Sequence, residues 1–575
     1  HHFVETWSAL EADRTEAKHA KPNILFFLVD DMGWQDTSVP FHTQTTQLNQ
    51  EYRTPNMEQL ASRSLLFTNA YACAICSPTR VSLMTGQNAA RHGVTCWTLR
   101  KDTSPENKND VFNSPTWPLN GLQPSGTEIP NSFASHTLPE RLVEVGYRTI
   151  HVGKGHFGAK DTPGANPLNL GFNVNIAGSY MGGPGSYHGD KNFSAAWRDG
   201  DAIWNVPGLE KYHGQKINLT EAITREAIAA VEQSVTDSRP FYLYMSHYGV
   251  HAPFEPDRRF SSEFEDNDWK QHQKTYATML AGMDKSLGDL LATFDRLDIA
   301  DNTIVVFMSD NGGTPGENNY FDGGAGFRSV KGNTYEGGIR APLIAHWNGK
   351  IAPGQIDDTH IASVDDMLAT FGGLAGAEIP IGVDSADVSG LFTGSSVEDR
   401  HFHVFEARNK NDYSIRMGDY KLVNTGGSSE LYNVVTDPGE SSNIAGGNAA
   451  IASLMERIAL DEGTRADAGT GVSQTTHIVQ YKTWSPNGGS TDWSGAGNWS
   501  GGTATNTRGV PVNNFNTGPA NNWVVTVDNP NSVAQETVVS GNSTVLGLEV
   551  AGSSAAMNVK VSAGSVLQAR NGVRI

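Results

Sequence analysis

Short, continuous apolar runs separated by helical patterns dominate the first part of the chain. The apolar runs cover residues 23–29, 147–152, 241–245, 303–308 and 342–345. Runs of this kind are typical of strands that are buried on both faces of a parallel sheet. Between them, apolar residues recur at helical spacing, as in 221–234 and 276–297. Strands that alternate with helices predict an α/β fold.

The pattern changes from about residue 355 onward. Residues 413–423 alternate like two strands around a turn, and 449–460 show the pattern of a final helix. Beyond about residue 470, Gly, Ser, Thr, Asn and Val predominate, with short β-like stretches. A β-rich accessory domain is the favoured interpretation of this last part, and a disordered tail is the alternative because its hydrophobicity is low.

These shifts in pattern predict four segments. They are an N-terminal extension (1–20), an α/β domain (21–354), an α+β subdomain (355–468) and the β-rich accessory domain (469–575). Residues 571–575 show no obvious capping pattern, so we expect the accessory domain to be truncated.

The net charge and the hydropathy of the chain argue against some classes of function. The 575 residues include 42 basic and 62 acidic side chains, which give a net charge of -20. This charge argues against nucleic acid as a partner, because nucleic-acid binding depends on cationic contacts to phosphate. No run reaches the roughly 18 apolar residues that a transmembrane helix needs. The first twenty residues are polar and do not resemble a signal peptide. We therefore expect a mature form of an exported protein, periplasmic or secreted.

Polar clusters follow several of the predicted strands. They are Asp30 with Asp31, Lys154 with His156, His247 with His251, and Asp310 with Asn311. In open α/β sheets, ligand sites form beyond the carboxyl ends of the strands, so these clusters predict one shared site. Asp30, Asp31, Asp310 and Asn311 together offer an all-oxygen ligand set of the kind that Ca²⁺ prefers. Taken singly, each acidic pair is also ordinary turn chemistry.

The segment Cys76-Ser-Pro-Thr-Arg80 precedes another helical pattern. Pro78 suits the first turn of a helix, so Cys76 is predicted at a helix N-terminus. Free backbone N–H groups and the helix dipole favour an anion there, and Arg80 adds a fixed positive charge. A buried structural cysteine is the alternative, as we expect for Cys73 and Cys96, since three cysteines do not make a disulfide framework.

This segment resembles the signature of the type I, formylglycine-dependent sulfatases, which are arylsulfatase-like members of the alkaline phosphatase superfamily. Three further segments resemble that family: Gly153-Lys-Gly-His156, His251-Ala-Pro253, and the stretch from Lys331 to Pro342. The resemblance spans about 21–445 and implies a sandwich of helices around a large mixed, mostly parallel sheet, with a smaller α+β subdomain. Two departures are Thr79, where Ser is commoner, and Gly155, where an aromatic is frequent and where we expect open space beside the sulfate.

The resemblance also implies roles for individual residues. A formylglycine-generating or anaerobic maturation enzyme would oxidise Cys76 to Cα-formylglycine, whose hydrate, helped by Asp310, attacks sulfur. One Ca²⁺ would bind Asp30, Asp31, Asp310, Asn311 and the modified Cys76. Arg80, Lys154 and Lys331 would neutralise the sulfate. His251 would protonate the departing alcohol, and His156 would then deprotonate the remaining hydroxyl.

The molecule that carries the sulfate ester is indicated by segments outside the family motifs. Long segments rich in glycine and aromatics, at about 94–135 and 175–215, suggest a sugar-binding rim, and we assign substrate contacts to Trp97, Arg100 and His247. The alternatives are that any single aromatic residue anchors a long loop and that His247 is structural. The predicted function is therefore hydrolysis of a sulfate ester on a sulfated polysaccharide or oligosaccharide. The alternatives are a phosphomonoester or phosphonate hydrolase of the same superfamily, and a non-catalytic glycan-binding protein on a sulfatase scaffold.

Overall fold

The computed structural model describes residues 21–41, 45–104, 117–266, 268–314, 326–380, 382–395, 397, 400, 402–407 and 412–467, together with short backbone strands beyond residue 480. The chain divides into two compact units, residues 1–444 with 459–467 and residues 445–458 with 468–575. The predicted N-terminal extension (1–20) lies outside the described residues, as does most of the predicted accessory domain.

The strands up to residue 467 are β1 (Asn23–Val29), β2 (Leu65–Phe67), β3 (Ala70–Tyr71), β4 (Leu122–Pro124), β5 (Phe133–Ser135), β6 (Arg148–Gly153), β7 (Val174–Ile176), β8 (Phe241–Ser246), β9 (Thr303–Ser309), β10 (Leu343–Trp347), β11 (Gln355–Asp357), β12 (Ala362–Ser363), β13 (Phe402–Ala407), β14 (Asp412–Met417), β15 (Tyr420–Thr425) and β16 (Ser428–Asn433).

The α-helices in the described part of the chain are α1 (Gln47–Glu51), α2 (Pro55–Ser62), α3 (Cys76–Thr85), α4 (Ala89–His92), α5 (Leu138–Glu144), α6 (Leu219–Thr236), α7 (Gln271–Arg296), α8 (Glu336–Ile339), α9 (Asp366–Ala375), α10 (Ser389–Thr393) and α11 (Ala449–Asp467). None of these helices is long and apolar enough to cross a membrane.

A mixed sheet of eight strands forms the centre of the fold, in the order β11-β2-β10-β9-β1-β8-β6-β7. Every pairing is parallel except the two that β10 makes, with β2 and with β9. The α/β sandwich predicted from the sequence is thus confirmed. Residues 342–345 had the apolar pattern of a parallel strand, yet β10 runs antiparallel, because a continuous apolar run reflects burial on both faces and not strand direction.

The central strand β1 shows why the sheet has helices on both sides. All seven of its residues are buried, and alternate side chains enter two different apolar cores. Leu25, Phe27 and Val29 belong to the core that includes α6 and α7. Ile24, Phe26 and Leu28 belong to the core that includes α3, α5 and α9. A strand buried on both faces has to be apolar throughout, which is the pattern that the sequence shows.

A separate antiparallel sheet follows the large one in the chain, in the order β13-β14-β15-β16. Its central hairpin pairs Met417 with Tyr420 across a turn at Asp419, with Gly418 at φ 53°. The strand pair predicted at 413–423 is therefore present. The helix predicted at 449–460 is α11, which extends to Asp467.

Beyond residue 480 the backbone forms β17 (Tyr481–Thr483), β18 (Asn522–Val524), β19 (Thr526–Asp528), β20 (Glu536–Val539), β21 (Ser543–Val545), β22 (Glu549–Ala551), β23 (Asn558–Val561) and β24 (Leu567–Ala569).

Candidate active site

Four adjacent parallel strands, β9, β1, β8 and β6, end at one edge of the large sheet. Asp30 and Asp31 directly follow β1, and Asp310 and Asn311 directly follow β9. Lys154 directly follows β6, and the loop that contains His251 follows β8. The convergence at strand ends that the sequence predicts is what this sheet order produces.

Three carboxylates form the centre of the site. Oxygen atoms of Asp30, Asp31 and Asp310 lie within 4.8 Å of one another, and all three residues are buried. Burial, with Asp310 nearby, raises the pKa of Asp30 well above its usual value. Burial alone would raise the pKa of Asp31 too, but the ammonium of Lys331 holds it below its usual range. The cluster therefore carries negative charge that requires cations close by.

Three cationic side chains supply that charge. Lys154 Nζ lies 2.6 Å from Asp30 Oδ2, and Lys331 Nζ donates to Asp31 Oδ1. Arg80 Nη2 lies 2.7 Å from Asp310 Oδ2, and the Arg80 side chain is fully buried. Burial opposes the charge on Lys331, yet Asp31 raises the pKa of that lysine. Three cations, of which Arg80 and Lys154 are fully buried and Lys331 is partly exposed, thus face three buried carboxylates.

Two oxygen atoms in this cluster have no hydrogen-bond partner among the described residues. They are Asp30 Oδ1 and Asn311 Oδ1, and both are buried. Asn311 uses its Nδ2 to donate to Asp31 Oδ1 at 2.9 Å, which leaves its oxygen free to accept from another group. Buried acceptors without partners are costly unless an ion or a donor satisfies them. A hard cation such as Ca²⁺ fits this set of oxygen ligands.

Cys76 is the first residue of helix α3 and is 3% exposed. The helix is attached to the loop after β9 by Thr79, whose Oγ1 donates to the Asp310 backbone oxygen at 2.5 Å. Burial raises the pKa of the Cys76 thiol above its usual value, although Lys154 and Lys331 oppose that shift. An unmodified Cys76 is therefore a neutral thiol and a poor nucleophile.

Two histidines lie beside the cluster. His251 Nε2 is 3.8 Å from Asp31 Oδ2, and burial lowers the pKa of His251 to about 4 while Asp31 opposes the shift. His156 Nε2 lies 2.8 Å from the Thr98 backbone oxygen, and burial lowers its pKa well below the usual value. His156 and Asp31 both hold left-handed backbone conformations, with φ 57° and 59°, a strain that is often found at functional sites.

Comparison with known proteins identifies this arrangement. The sulfatase family model matches residues 22–377, and the model described as N-sulphoglucosamine sulphohydrolase, C-terminal, matches residues 316–461. This chain belongs to the sulfatase family. The predicted family is thus confirmed, and the enzyme is a sulfuric ester hydrolase.

Among its relatives, the sulfatase is 30% identical over 421 residues to N-acetylgalactosamine-6-sulfatase of Mus musculus, covering 70% of this chain and 71% of that protein. It is 27% identical over 477 residues to arylsulfatase A of Homo sapiens, covering 74% of this chain and 84% of that protein. A solved structure, Ps i-CgsB in complex with k-i-k-neocarrahexaose, is similar with a TM-score of 0.64 and 25% identity, covering 80% of this chain and 96% of that chain.

The three residues predicted to contact the substrate of the sulfatase have different surroundings. His247 is fully buried beneath the sheet, with its Nε2 3.1 Å from Ser286 Oγ and its ring packed on Phe27, so its position argues against substrate contact. Arg100 is exposed and pairs with Asp201 at 2.5 Å. Trp97 packs against the apolar cluster that contains Cys76. For the two last residues, substrate contact stays a prediction.

The structure also corrects the expectation for Gly155. A Cβ atom at this position would lie 2.5 Å from the backbone oxygen of Ser179. The space that a side chain would occupy is therefore filled by the backbone of another loop and is not open.

Several residues that position the sulfatase site were not found from the sequence. Ser246 Oγ accepts from Arg80 Nη1 at 2.5 Å and donates to the Lys154 backbone oxygen at 2.7 Å, so it links two cationic residues. Gly182 packs on His156, where a Cβ would lie 2.5 Å from the imidazole. A serine at a strand end and a glycine in a long loop are common, so neither carries a recognisable signal in the sequence.

Proposed function

We propose that this sulfatase hydrolyses a sulfate ester on a sulfated polysaccharide or oligosaccharide and releases inorganic sulfate. The observation that supports the proposal is the position of Cys76, at the start of a helix whose Thr79 and Arg80 bind Asp310 of the carboxylate cluster. A helix N-terminus surrounded by buried cations favours an anion over a neutral substrate. Two of the proteins compared above favour a sugar as the substrate: one is named N-acetylgalactosamine-6-sulfatase, and Ps i-CgsB was solved in complex with k-i-k-neocarrahexaose.

We propose that Cys76 works as Cα-formylglycine. The buried thiol is held neutral, so as a cysteine it would be a weak nucleophile. The hydrated aldehyde of formylglycine supplies a hydroxyl nucleophile at the same point. This proposal requires a maturation enzyme, either of the formylglycine-generating or of the anaerobic type, as a partner.

We propose that one Ca²⁺ binds Asp30, Asp31, Asp310, Asn311 and the modified Cys76. Within the part of the chain that the structure describes, these three aspartates form a single group of converging acidic ligands. When bound, the ion neutralises charge on the sulfate as a Lewis acid. One group of ligands favours a sulfatase over the phosphomonoester or phosphonate hydrolase that we considered as the alternative.

The side chains have separate tasks in this proposal. The ammonium groups of Lys154 and Lys331 offset the charge of the sulfate. Arg80 donates to Asp310, Ser246 Oγ and the Lys154 backbone oxygen, so we expect it to hold Asp310 in place as well as to add charge. Neutral His156 is suited to accept a proton as a general base.

His251 is proposed to protonate the departing alcohol. A bound sulfate would favour the protonated form of His251, as the nearby carboxylate of Asp31 already does.

Because sulfated polysaccharides are too large to cross a membrane unaided, we further propose a periplasmic or secreted location.

The test is sulfate release from a panel of sulfated oligosaccharides. The enzyme is produced with a formylglycine-generating enzyme, and conversion of Cys76 is confirmed by peptide mass. We expect release from at least one member of the panel, with complete loss in Cys76→Ala and no steady turnover in Cys76→Ser. Cleavage of phosphate esters but not sulfate esters by the converted enzyme would favour the alternative hydrolase. Binding of the oligosaccharides without cleavage would favour a glycan-binding protein on a sulfatase scaffold.

A further inference from the structure

A short loop, residues 182–187, packs over the two site histidines, and we call it the glycine strap. A Cβ atom on Gly183 would lie 2.7 Å from His251 Nδ1 and 2.9 Å from His251 Cε1. On Gly182 it would lie 2.5 Å from His156 Cε1. Neither position therefore has room for a side chain beside the imidazole ring, so glycine is required at both.

The contacts of His251 fix the tautomer of its ring. Nδ1 lies 2.7 Å from the backbone oxygen of Ala252, and a carbonyl oxygen can only accept, so Nδ1 carries a proton. Nε2 is then the ring atom available for proton transfer, and it faces Asp31 at 3.8 Å. Rotation of the ring would exchange these two atoms, and the backbone at Gly183 packs beside Nδ1 and Cε1 with no room for a side chain.

Tyr187, at the end of the strap, holds the backbone of His251. Its hydroxyl lies 2.8 Å from the His251 backbone oxygen and 2.6 Å from the Tyr248 backbone oxygen, and its ring is buried. The strap is in turn anchored by Glu255, which accepts from the Tyr187 backbone N–H at 2.7 Å and from Ser186 Oγ at 2.6 Å. Glu255 is itself buried and pairs with Lys191.

We propose that Tyr187 and Gly183 are positioning residues that direct His251 Nε2 toward the leaving oxygen of the sulfate ester. The inference rests on the role of His251 in the proposed function. In that role the protonated ring donates its Nε2 proton to the bridging oxygen as the S–O bond breaks. The leaving group departs as a neutral alcohol, and the ring stays neutral with its proton on Nδ1.

This role has a chemical consequence that a purely structural role lacks. A phenol with a low pKa can leave as its anion and needs little help from an acid, whereas a phenol or alcohol with a high pKa needs the proton. Displacement of His251 Nε2 should therefore slow hydrolysis of esters with poor leaving groups far more than that of esters with good ones.

The experiment compares wild type and Tyr187→Phe on aryl sulfates from 4-nitrophenyl to 4-methoxyphenyl sulfate. We expect kcat/KM to fall about tenfold or more for 4-methoxyphenyl sulfate and to change by less than about twofold for 4-nitrophenyl sulfate, in line with the size of general-acid effects. Tyr248→Phe is the matched control, because its buried hydroxyl donates to the Ala177 backbone oxygen at 2.8 Å and not to His251. An equal loss on both substrates in Tyr187→Phe, or the same leaving-group dependence in Tyr248→Phe, would overturn the proposal.

A second pair of variants tests the steric part. Gly183→Ala should show the same leaving-group dependence, whereas Gly189→Ala should not, although its Cβ would meet the Gln215 backbone oxygen at a similar 2.8 Å. Crystal structures of Tyr187→Phe and Gly183→Ala add a measurement that does not depend on turnover. A displaced or rotated His251 ring supports the inference, and an unmoved ring in both variants overturns it. This result can be read even if the wild type cleaves no sulfate ester, so failure of the inference and failure of the proposed function are distinguishable.

Discussion

Asp30 and Asn311 each keep one buried oxygen without a hydrogen bond among the described residues, beside an ion-paired network in which the other oxygens are occupied. At the scale of single residues, these two buried acceptors are the strongest indication that the site binds a ligand. Burial already raises the pKa of Asp30, so its ionised form is unfavourable unless a cation lies close. The ion pairs with lysine and arginine leave these two oxygen atoms as acceptors for a further ligand.

Asp30→Asn tests the cation site at this scale. Loss of a negative ligand should weaken Ca²⁺ binding to the purified protein by tenfold or more, measured by titration calorimetry. The control is Asp358→Asn, which changes an exposed carboxylate remote from the described site contacts and should bind Ca²⁺ like wild type. Equal Ca²⁺ affinity in wild type and Asp30→Asn would contradict the assignment.

Two histidines show what residue type alone leaves undetermined. His247 and His251 are four residues apart in the same segment, and both were candidates for the site. His247 directly follows β8 and its side chain enters the core beside Phe27, whereas the loop turns His251 toward Asp31. Which way a side chain points after a strand depends on the loop conformation, and that is not encoded in residue type.

At the scale of secondary-structure elements, helix α3 connects Cys76 with the loop after β9 that contains Asp310. Thr79 Oγ1 accepts from the Cys73 backbone N–H at 2.9 Å and donates to the Asp310 backbone oxygen. Thr79 stands where the family signature that this segment resembles more commonly has serine. Its hydroxyl makes both bonds, and a serine hydroxyl could make them as well.

Thr79→Val should therefore destabilise the enzyme, because valine has the same shape but leaves two buried backbone groups unsatisfied. We expect a loss of about 1–3 kcal/mol in the free energy of unfolding for each such group, measured by urea denaturation. Thr79→Ser is the matched control and should lose only about 1 kcal/mol, for the missing methyl group. Similar losses in the two variants would show that the hydroxyl is not needed.

Helices α2 and α7 are joined by a buried carboxylate. Thr54, at the N-cap of α2, makes no side-chain capping bond; instead, Asp284 of α7 accepts from the backbone N–H groups of Asn56 and Met57, at 3.1 and 2.8 Å. One helix thus caps another across the core. Burial raises the pKa of Asp284 to about 6, even though these hydrogen bonds lower it.

This raised pKa predicts a pH dependence of stability. Because the pKa of Asp284 is higher in the folded state than its unfolded value of 3.8, the folded state binds the proton more tightly. The stabilisation is therefore complete below pH 3.8 and is lost as the pH rises through about 6. The shift corresponds to at most about 3 kcal/mol. The Tm of wild type relative to Asp284→Asn should therefore rise as pH falls from 7 to 5, in thermal scans of both proteins. A difference that stays constant over that range would rule out titration of Asp284.

At the scale of the whole molecule, a buried charge network attaches the small antiparallel sheet to the part that contains the large one. Lys421 on β15 lies 2.9 Å from Glu336 Oε1 and 2.9 Å from Glu440 Oε1, and all three side chains are buried. Glu336 Oε2 also lies 3.1 Å from Arg340 Nη1. The network needs every partner, because each buried charge is compensated by another.

Lys421→Met should be strongly destabilising, because it leaves Glu336 and Glu440 buried without their shared ammonium. We expect a loss of about 3–5 kcal/mol in the free energy of unfolding at neutral pH. Burial raises the pKa of Glu440 to about 7, so the loss should be smaller at pH 5, where that carboxyl is protonated in the variant. Lys216→Met, at an exposed position, should change stability by less than about 0.5 kcal/mol. A variant at Lys421 as stable as wild type would show that the network is dispensable.

The segment boundaries drawn at 20, 354 and 468 stay predictions, since composition shifts indicate where a chain changes character but not where contacts end. The sulfatase fold was easier to predict. Its central strands are buried on both faces and so must be apolar throughout, and each ends in polar residues that the sequence displays directly.

The sequence by itself determined the α/β fold, the family, and the set of residues that meet at the carboxyl ends of β9, β1, β8 and β6, because those properties follow from local pattern and residue type. Only the tertiary structure decided that β10 runs antiparallel, that His247 lies in the core, that Gly155 faces the Ser179 backbone, and that the glycine strap packs on the two histidines. These features depend on contacts between residues distant in the chain, where direction and distance are set by packing and no local pattern records them.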